Sequence, residues 1–428
     1  MNILKILFVF LFLIIIHSCE KDPTYPLFTD EYHLYLNSVR NDKKVTLTWG
    51  INACLDPCLC IGPKPNPDHF DILMSDSNSS KLELYTTVSN DILGLTIGNL
   101  INGNPYYFAI KAVGQNGDNI LSKTIMVIPD YPENTQTLFQ TIDESREFGS
   151  WSPDELSVVY MGDYFWNNGN NSAISVFIFN LLTKEKWLVE KNSFSPEWSP
   201  TEQKIAYHTD YGEVNSSLKY RPTDIAVYNI QNNTIKRLTG GDSYNFRPTW
   251  SPDGKWIAFL SDKAGGNEYN IWKAPADSGT LIRITTDFND LSDLAIMVDR
   301  SPRKPSWSKD GKSIAFARFT KTNPGYVLDI YAVSVSGGNK TLIISSQWDD
   351  YCPAHSPDGS TIAFVSNRSG SNEIWSMNLQ TKKLKQITGS SGQWVIGSWG
   401  KIEWSPSGKE ILFTSNSGFN TLYTVELN

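Results

Sequence analysis

The last two thirds of the chain repeat one short phrase six times. The copies read Trp151-Ser-Pro-Asp, Trp198-Ser-Pro-Thr, Trp250-Ser-Pro-Asp-Gly, Trp307-Ser-Lys-Asp-Gly, His355-Ser-Pro-Asp-Gly and Trp404-Ser-Pro-Ser-Gly. We call the first residue of each copy the motif residue; these residues lie 47, 52, 57, 48 and 49 positions apart. A period near 50 that is built from short strands is typical of a β-propeller with one blade per repeat. The repeat therefore predicts a six-bladed propeller over residues 134–428.

Each repeat contains the signals of four strands. In the third repeat a short strand ends at Trp250, and Asp253-Gly254 forms a hairpin turn because glycine tolerates a positive φ. Three further apolar strands follow at Lys255–Leu260, Asn270–Ala274 and Thr280–Thr285. We expect the motif residues to be structural, with the aromatic ring filling space between blades.

The sixth repeat lacks a fourth strand, since the chain ends on the third strand, Tyr423–Leu427. An incomplete blade leaves an open sheet edge, and open edges favour aggregation. The apolar segment Gln136–Ile142 precedes the first repeat and has no other assigned partner. We therefore predict that this segment completes the last blade and closes the ring.

The phrase from Trp250 to Phe259 resembles the TolB-type WD-like repeat, and the resemblance recurs in all six copies. It implies a platform that binds partner proteins, because TolB is a periplasmic six-bladed propeller with that role. The N-terminal domain of TolB is α/β, whereas the N-terminal third of this chain has the pattern of a β-sandwich. The role of TolB in the Tol–Pal system is therefore not implied.

Residues 29–130 show alternating apolar stretches separated by turn signals, which predict a sandwich of seven short strands. The expected strands are Tyr32–Val39, Lys44–Trp49, His69–Ser75, Leu82–Val88, Leu93–Ile97, Tyr106–Val113 and Lys123–Ile128. The passage from Leu100 through Gly103 to Tyr106 resembles the tyrosine corner of fibronectin type III domains, and Trp49 resembles the buried tryptophan of that family. The whole chain is thus predicted to be all-β, with an immunoglobulin-like sandwich before the propeller.

The N-terminus has the pattern of an export signal. Lys5 precedes the apolar run Ile6–Ile16, which is shorter than the roughly 20 residues that a membrane-spanning helix needs. The run ends in Ile16-His17-Ser18-Cys19, which resembles a bacterial lipobox. The resemblance implies a signal peptide at 1–18, lipidation of Cys19, a tether at 19–28 and attachment to the bacterial outer membrane, on a side that the sequence leaves open.

Three further cysteines crowd into one loop of the predicted sandwich: Cys54, Cys58 and Cys60. An exported protein can form disulfides, so one disulfide within this group is the favoured interpretation, with the pairing left open. The alternative is a zinc site, for which His69 is the nearest fourth ligand in sequence.

Composition and motifs favour binding over catalysis. The formal net charge is −8, which argues against nucleic acid as a partner because phosphate binding needs clustered lysine and arginine. Serine peptidases that carry such propellers need a Gly-x-Ser-x-Gly elbow, and the sequence contains neither this motif nor a glycine-rich phosphate loop. Only His208 and His355 fall within the repeats, so neither a metal site nor a cofactor is predicted.

Polar and aromatic residues just before the motifs are the candidate ligand-binding residues, because inner strands and their entry loops line one mouth of a propeller channel. They are Arg146, Tyr244, Arg247, Arg303, Asp350, Tyr351, Trp399 and Lys401. Mixed arginine and aromatic residues suit a peptide or a sugar. The sequence thus predicts a monomeric, non-enzymatic lipoprotein that captures a protein or peptide, and the alternative is a glycan-binding or polysaccharide-cleaving propeller.

Overall fold

The structure is a computed structural model, and it divides the chain into two compact units, Met1–Asp130 and Tyr131–Asn428. It describes residues 32–41, 43–53, 66–76, 81–102, 104–114, 118–129, 134–137, 146–166, 171–210, 222–265, 269–286, 304–322, 325–389, 401–415 and 421–427. The predicted signal peptide, Cys19, the tether and the three-cysteine loop lie outside the described residues. Among the described residues there is no helix with the length and apolarity that a membrane crossing requires.

The described part of the first unit consists of two antiparallel sheets. Its strands are β1 (Tyr32–Asn41), β2 (Lys44–Ala53), β3 (His69–Ser75), β4 (Glu83–Ser89), β5 (Gly94–Ile97), β6 (Tyr106–Val113), β7 (Asn119–Leu121) and β8 (Ile125–Val127). One sheet has the order β1-β2-β5, and the other has the order β4-β3-β6-β7 with β8 also paired to β6. The predicted last strand, Lys123–Ile128, corresponds to β8, and β7 is an additional short strand that the sequence analysis did not predict; both pair with β6.

Both sheets contribute side chains to one buried core in this unit. Trp49 of β2 and Phe70 of β3 pack edge to face with ring centroids 5.8 Å apart. The Tyr106 hydroxyl accepts a hydrogen bond of 3.0 Å from the backbone N–H of Ile101. That contact is the turn closure that a tyrosine corner makes.

The described residues of the second unit form six four-stranded sheets, which we call blades 1 to 6, and the prediction of a six-bladed propeller is confirmed. Strand β9 (Asn134–Thr137) comes first, before blade 1. Blade 1 comprises β10 (Arg146–Trp151), β11 (Ser157–Trp166), β12 (Asn171–Asn180) and β13 (Lys186–Lys191), and blade 2 comprises β14 (Ser193–Trp198), β15 (Lys204–Asp210), β16 (Thr223–Asn229) and β17 (Thr234–Arg237). Blade 3 comprises β18 (Asn245–Trp250), β19 (Trp256–Ser261), β20 (Asn270–Pro275) and β21 (Ile282–Arg283), and blade 4 comprises β22 (Ser306–Trp307), β23 (Ser313–Thr322), β24 (Gly325–Ser334) and β25 (Thr341–Ile344). Blade 5 comprises β26 (Asp350–His355), β27 (Thr361–Ser366), β28 (Glu373–Asn378) and β29 (Leu384–Gln386), and blade 6 contains β30 (Ile402–Trp404), β31 (Glu410–Ser415) and β32 (Thr421–Glu426).

The N-terminal strand of this unit closes the ring. Strand β9 pairs antiparallel with β32, with Asn134 opposite Glu426 and Thr137 opposite Tyr423, and so supplies the fourth strand of blade 6. The sequence predicted this closure but placed the strand at 136–142. The observed strand begins two residues earlier, and residues 138–142 lie outside the described part of the chain.

Apolar packing also closes the ring. The inner strands β10, β14, β18, β22, β26 and β30 contact one another in that order, and β30 contacts β10. Each pair of neighbouring blades shares a buried apolar cluster. At the seam between blades 1 and 6, Trp151 and Tyr160 share a cluster with Leu412 and Leu422. Gly149 lies at the same seam, because a Cβ there would meet Leu412 Cδ2 at 2.8 Å.

Four of the six inner strands share one irregularity, a β-bulge before the motif residue. Each of the four carries an extra residue relative to the second strand, and in each a non-glycine residue has a positive φ. These residues are Phe148, Ser195, Arg247 and Cys352, each three positions before its motif residue. We call this third preceding residue the bulge position; Lys304 and Lys401 occupy it in blades 4 and 6. A bulge bends its strand and redirects the side chains that precede it.

Candidate functional site

A cavity of about 360 Å³ opens at the end of the propeller channel where the inner strands finish. Every blade contributes to its wall, because all six motif residues line it: Trp151, Trp198, Trp250, Trp307, His355 and Trp404. The rim consists of the turn residues two positions later, which are Pro153, Pro200, Pro252, Lys309, Pro357 and Pro406. The same phrase that builds the turns therefore builds a six-sided apolar collar around the axis.

The floor of the cavity is charged, and Glu197 is its centre. One oxygen of this buried carboxylate accepts hydrogen bonds from the Thr249 hydroxyl at 2.7 Å and from the backbone N–H of Trp250 at 3.1 Å. The other forms ion pairs with the Lys304 ammonium and, at 3.5 Å, with the Lys401 ammonium. Since these residues come from blades 2, 4 and 6, the charges meet across the channel axis.

Glu403 extends this network on the opposite side. It is ion-paired with Lys401, and its other oxygen accepts hydrogen bonds from the Ser150 hydroxyl at 2.8 Å and from the backbone N–H of Trp151 at 3.1 Å. The contacts to blade 1 join the last repeat to the first. Glu403 therefore contributes a charge to the floor and also bonds blade 6 to blade 1, where the ring closes.

The pKa values of the network follow from its pairing. Although burial opposes ionisation, Lys304 and Lys401 hold the pKa of Glu197 below its usual value. Burial and the charge of Lys401 lower the pKa of Lys304, whereas Glu403 and Glu197 raise the pKa of Lys401 against the effect of its own burial. Glu197 is thus an ionised carboxylate at neutral pH that is paired with two lysines, which does not suit a proton donor.

The residue immediately before each motif residue links neighbouring blades. In four blades the side chain of this residue accepts a hydrogen bond from the backbone N–H of the motif residue in the following blade. The acceptors are Ser150 (from Trp198, 3.0 Å), Glu197 (from Trp250, 3.1 Å), Ser306 (from His355, 3.1 Å) and Glu403 (from Trp151, 3.1 Å). Three indole N–H groups reach the backbone carbonyl at this position in the preceding blade, from Trp250, Trp307 and Trp404. The motif residues are therefore structural, as expected, and they also line the cavity.

Only part of the predicted ligand-binding set meets at this site. Lys401 belongs to the floor network, and Arg247 occupies the bulge position of blade 3, with its guanidinium 5.9 Å from the centroid of the Phe148 ring. Tyr244 packs instead against Phe246, with ring centroids 5.0 Å apart, at the other end of its inner strand. The proposed clustering of Tyr244 with Lys401 around one mouth is therefore not observed.

Two predicted residues of blade 5 are internal to the blade. Asp350 is fully buried, and it accepts a hydrogen bond of 2.5 Å from Arg368 and another of 2.6 Å from the Ser346 hydroxyl. Tyr351 is buried in the core that blades 4, 5 and 6 share. Neither residue lines the cavity, because the bulge at Cys352 separates them from the strand end.

The remaining predicted residues are not placed by the structure. Arg303 and Trp399, and the cysteines Cys54, Cys58 and Cys60, lie outside the described residues, and for Arg146 only the backbone of β10 is described. Sequence reasoning missed Glu197, Lys304 and Glu403. Their signal was positional. Glu197 and Glu403 lie one residue before a motif residue, where the other blades carry serine, threonine or alanine, and Lys304 lies three residues before one, where two other blades also carry a basic residue.

Among the described residues, no group of three or more histidine, cysteine or acidic residues is arranged to hold a metal ion. His208 and His355 lie in separate blades. Burial lowers the pKa of His208 to about 3 and that of His355 to about 4, so both are neutral near pH 7. The described site thus offers an apolar collar over paired charges.

These features define a closed six-bladed propeller with a ligand-sized cavity on its axis. The profile of the family described as TolB beta propeller domain matches residues 113–302 and 293–428. The chain belongs to this family.

Individual relatives match less of the chain. An uncharacterized protein of Agrobacterium fabrum is 26% identical over 258 residues, which cover 58% of this chain and 75% of that protein. The Tol-Pal system protein TolB of Francisella tularensis subsp. holarctica is 29% identical over 167 residues, 38% of this chain and 34% of the relative. The chain thus spans about a third of the length of that TolB.

Solved structures with similar folds include a putative TolB from Agrobacterium tumefaciens. It is 19% identical and covers 68% of this chain and 94% of its own, with a TM-score of 0.45. An oligogalacturonate lyase from Vibrio parahaemolyticus is 12% identical and covers 92% of this chain and 97% of its own, with a TM-score of 0.44.

Proposed function

We propose that this protein is an exported, lipid-anchored and non-enzymatic binding protein of the bacterial envelope, and that it captures a protein or peptide partner at the axial cavity. The observation that carries the proposal is the cavity itself, which every blade lines and whose floor carboxylates are already paired with lysines. A concave, mostly apolar pocket with a few convergent polar groups is the usual form of a ligand site.

The family supports a partner of this kind, since the Francisella relative is a component of the Tol-Pal system. The first unit, which resembles a fibronectin type III domain, would act as a spacer between the membrane and the propeller. Its two-sheet core and the Tyr106 hydrogen bond are consistent with that assignment. The anchor rests on the sequence pattern at Cys19.

Site-specific photocrosslinking in living cells tests partner capture. A benzophenone amino acid replaces Lys309, an exposed rim residue, and in a matched control it replaces Lys236, an exposed residue of the outer strand β17. We expect one defined adduct from position 309, identified by mass spectrometry, and none from position 236. Equal adducts at both positions, or none at either, would contradict capture at the rim.

Two further measurements test the remaining parts of the proposal. The full chain should incorporate an alkyne-labelled fatty acid, and Cys19→Ser should abolish both this labelling and the membrane fractionation of the chain. A polysaccharide panel tests the glycan alternative. Binding to a glycan that Lys309→Ala weakens would replace the peptide with a sugar, and release of oligosaccharide products would make the protein an enzyme.

A further inference from the structure

His355 is the exception among the six motif residues. The other five blades have tryptophan at this position, and the indole N–H groups of Trp250, Trp307 and Trp404 donate to backbone carbonyls of the preceding blade. His355 lines the same cavity, and its side chain is half-buried. Blade 5 therefore contributes a small polar ring to the collar, where the other blades contribute an indole.

The hydrogen bonds of Ser306 assign the tautomer of His355. The Ser306 hydroxyl oxygen accepts a hydrogen bond of 3.1 Å from the backbone N–H of His355 and lies 3.2 Å from its Nδ1. Among the described residues Nδ1 is the acceptor within reach of the hydroxyl proton, so Ser306 donates to Nδ1. Burial lowers the pKa of His355 to about 4, so the ring is neutral near pH 7 and carries its single proton on Nε2.

The Nε2–H group is a hydrogen-bond donor that the collar leaves available. Among the described residues Nε2 has no hydrogen-bond partner, whereas the three indole N–H groups of blades 3, 4 and 6 are already paired. Since His355 forms part of the cavity wall, a carbonyl oxygen in the cavity can accept from Nε2. The donor stands beside apolar collar residues, so such a bond would be largely shielded from water.

The side-chain acceptors of the lining are already engaged. Each of the two floor carboxylates, Glu197 and Glu403, accepts two hydrogen bonds and pairs with a lysine. The hydroxyl oxygens of Ser306 and Ser356 each accept a backbone N–H. A ligand N–H in the cavity would have to compete for these acceptors, and a buried donor that stays unpaired is costly. The lining therefore favours a ligand group that accepts a hydrogen bond and donates none.

The floor favours neither sign of ligand charge. Its two carboxylates balance its two lysines, and ion pairs join all four groups. A charged ligand group would lose its hydration here without gaining an unpaired partner. The cavity of about 360 Å³ is near the lower end of ligand pockets, which span roughly 300–1,000 Å³, and its collar consists mainly of tryptophan and proline side chains. It therefore suits one or two uncharged apolar residues.

We propose that His355 contacts the partner in the axial cavity, and that its Nε2–H donates a hydrogen bond to a backbone carbonyl of an uncharged, proline-containing peptide segment. Proline meets each requirement of the lining, because it has a carbonyl acceptor, no backbone N–H and an apolar ring. This inference rests on the proposed function and specifies the chemistry of the partner at that site.

Calorimetric titration of the full chain in detergent with matched tripeptides tests the preference. The probes are acetyl-Leu-X-Leu-amides in which X is proline, N-methylalanine, alanine, glutamate or lysine. We expect the proline peptide to bind about tenfold more tightly than the alanine peptide, because alanine adds one N–H group, and the N-methylalanine peptide to resemble proline. The glutamate and lysine peptides should both bind more weakly than the proline peptide. No binding of the proline peptide at millimolar concentration, or equal or tighter binding of the alanine, glutamate or lysine peptide, would overturn the inference.

Variants assign the hydrogen bond to His355. His355→Phe keeps an aromatic ring and removes the donor, so the proline peptide should bind about tenfold more weakly, whereas His355→Gln keeps a side-chain N–H and should restore most of the affinity. The matched control is His69→Phe, the same change at a histidine of β3 in the first unit, which should bind as the wild type does.

His355→Trp provides an answer if His355→Phe fails to fold. It introduces the residue of the other five blades, and its indole N–H should bond to the preceding blade as that of Trp404 does, so the affinity should again fall. Wild-type affinity in the folded His355 variants that lack the donor refutes the assignment. A photocrosslinked partner at position 309 that these variants still capture equally would remove the role of His355 and leave the proposed function intact.

Discussion

Replacement of Glu197 by glutamine removes the charge at the centre of the floor and leaves the side-chain shape nearly unchanged. The glutamine can still accept hydrogen bonds from Thr249 and Trp250, but Lys304 and Lys401 lose the carboxylate that they share. Removal of one partner from a buried ion pair costs about 3–5 kcal/mol, because an uncompensated charge remains buried. Since Glu403 still pairs with Lys401 and the two neutral hydrogen bonds remain, we expect about 3 kcal/mol.

This free energy converts into a measurable change of melting temperature. Unfolding entropy is about 2.1 cal/mol/K per residue, so the roughly 300 residues of the propeller unit give about 0.6 kcal/mol/K. A loss of about 3 kcal/mol therefore lowers the melting temperature by about 5 °C, as measured by differential scanning calorimetry. Glu185→Gln, which changes an exposed carboxylate of blade 1, is the matched control, and it should stay within about 0.5 kcal/mol of the wild type.

A double-mutant cycle with Lys304→Met tests whether the loss comes from the ion pair. Removal of both charges should cost less than the sum of the single replacements, with a coupling free energy of about 2 kcal/mol, because neither charge then stays unpaired. The pKa of Glu197 is lowered in the folded state, so its stabilisation is present above the ordinary value of 4.5 and is lost as the pH falls below it. The difference between wild type and Glu197→Gln should shrink accordingly in acid. A loss below about 1 kcal/mol, or additive single effects, would refute the reasoning.

Three other perturbations have definite expected outcomes. Burial lowers the pKa of His208 to about 3, so the unfolded state binds the imidazole proton at a higher pH than the folded state does, and the free energy of unfolding should fall by up to about 1.4 kcal/mol per pH unit as the pH drops from 6.5 towards 3. His208→Phe should reduce this acid dependence in urea unfolding. An unchanged pH dependence in the variant would contradict the assignment. Gly149→Ala places a Cβ 2.8 Å from Leu412 and 2.9 Å from Leu422, so it should destabilise the propeller by about 1–3 kcal/mol, whereas an alanine at Gly240, where a Cβ meets no atom within 4 Å, should cost far less in the same thermal melt. Deletion of 134–137 removes the fourth strand of blade 6, so we expect concentration-dependent association in sedimentation velocity through the exposed edge of β32, and a monomer with unchanged stability would show that closure is not required.

Much of the fold could be predicted because each blade is specified by residues close together in sequence and the same pattern recurs in every repeat. The turn after each motif residue contains a serine and usually a proline and a glycine, and these recur about every 50 residues. The missing fourth strand of the last repeat predicted the closure by β9, since an incomplete sheet leaves unpaired backbone groups. Short strands were harder to predict, as the additional strand β7 shows, because such strands are set by pairing with β6 rather than by their own sequence.

The candidate site could not be predicted in the same way. The position of Asp350 and Tyr351 just ahead of their motif residue assigned them to the channel mouth, but the structure buries both within the blade, before the bulge at Cys352. A left-handed backbone at a non-glycine residue leaves no reliable mark in the sequence. The register of the inner strands was therefore decided by tertiary packing.

The sequence by itself determined how many blades the propeller has and where each blade turns, because those properties depend on residues close to one another in the chain. It also indicated which segment closes the ring, because the last repeat has only three strands and an unassigned apolar segment precedes the first repeat. Only the tertiary structure decided that Glu197, Lys304, Lys401 and Glu403, which are separated by as many as 206 positions, meet at one point. Closure of the ring brings every inner strand to a common axis. Glu197 and Glu403 lie within inner strands and Lys304 and Lys401 lie just before inner strands, and these charges pair with one another only at that axis.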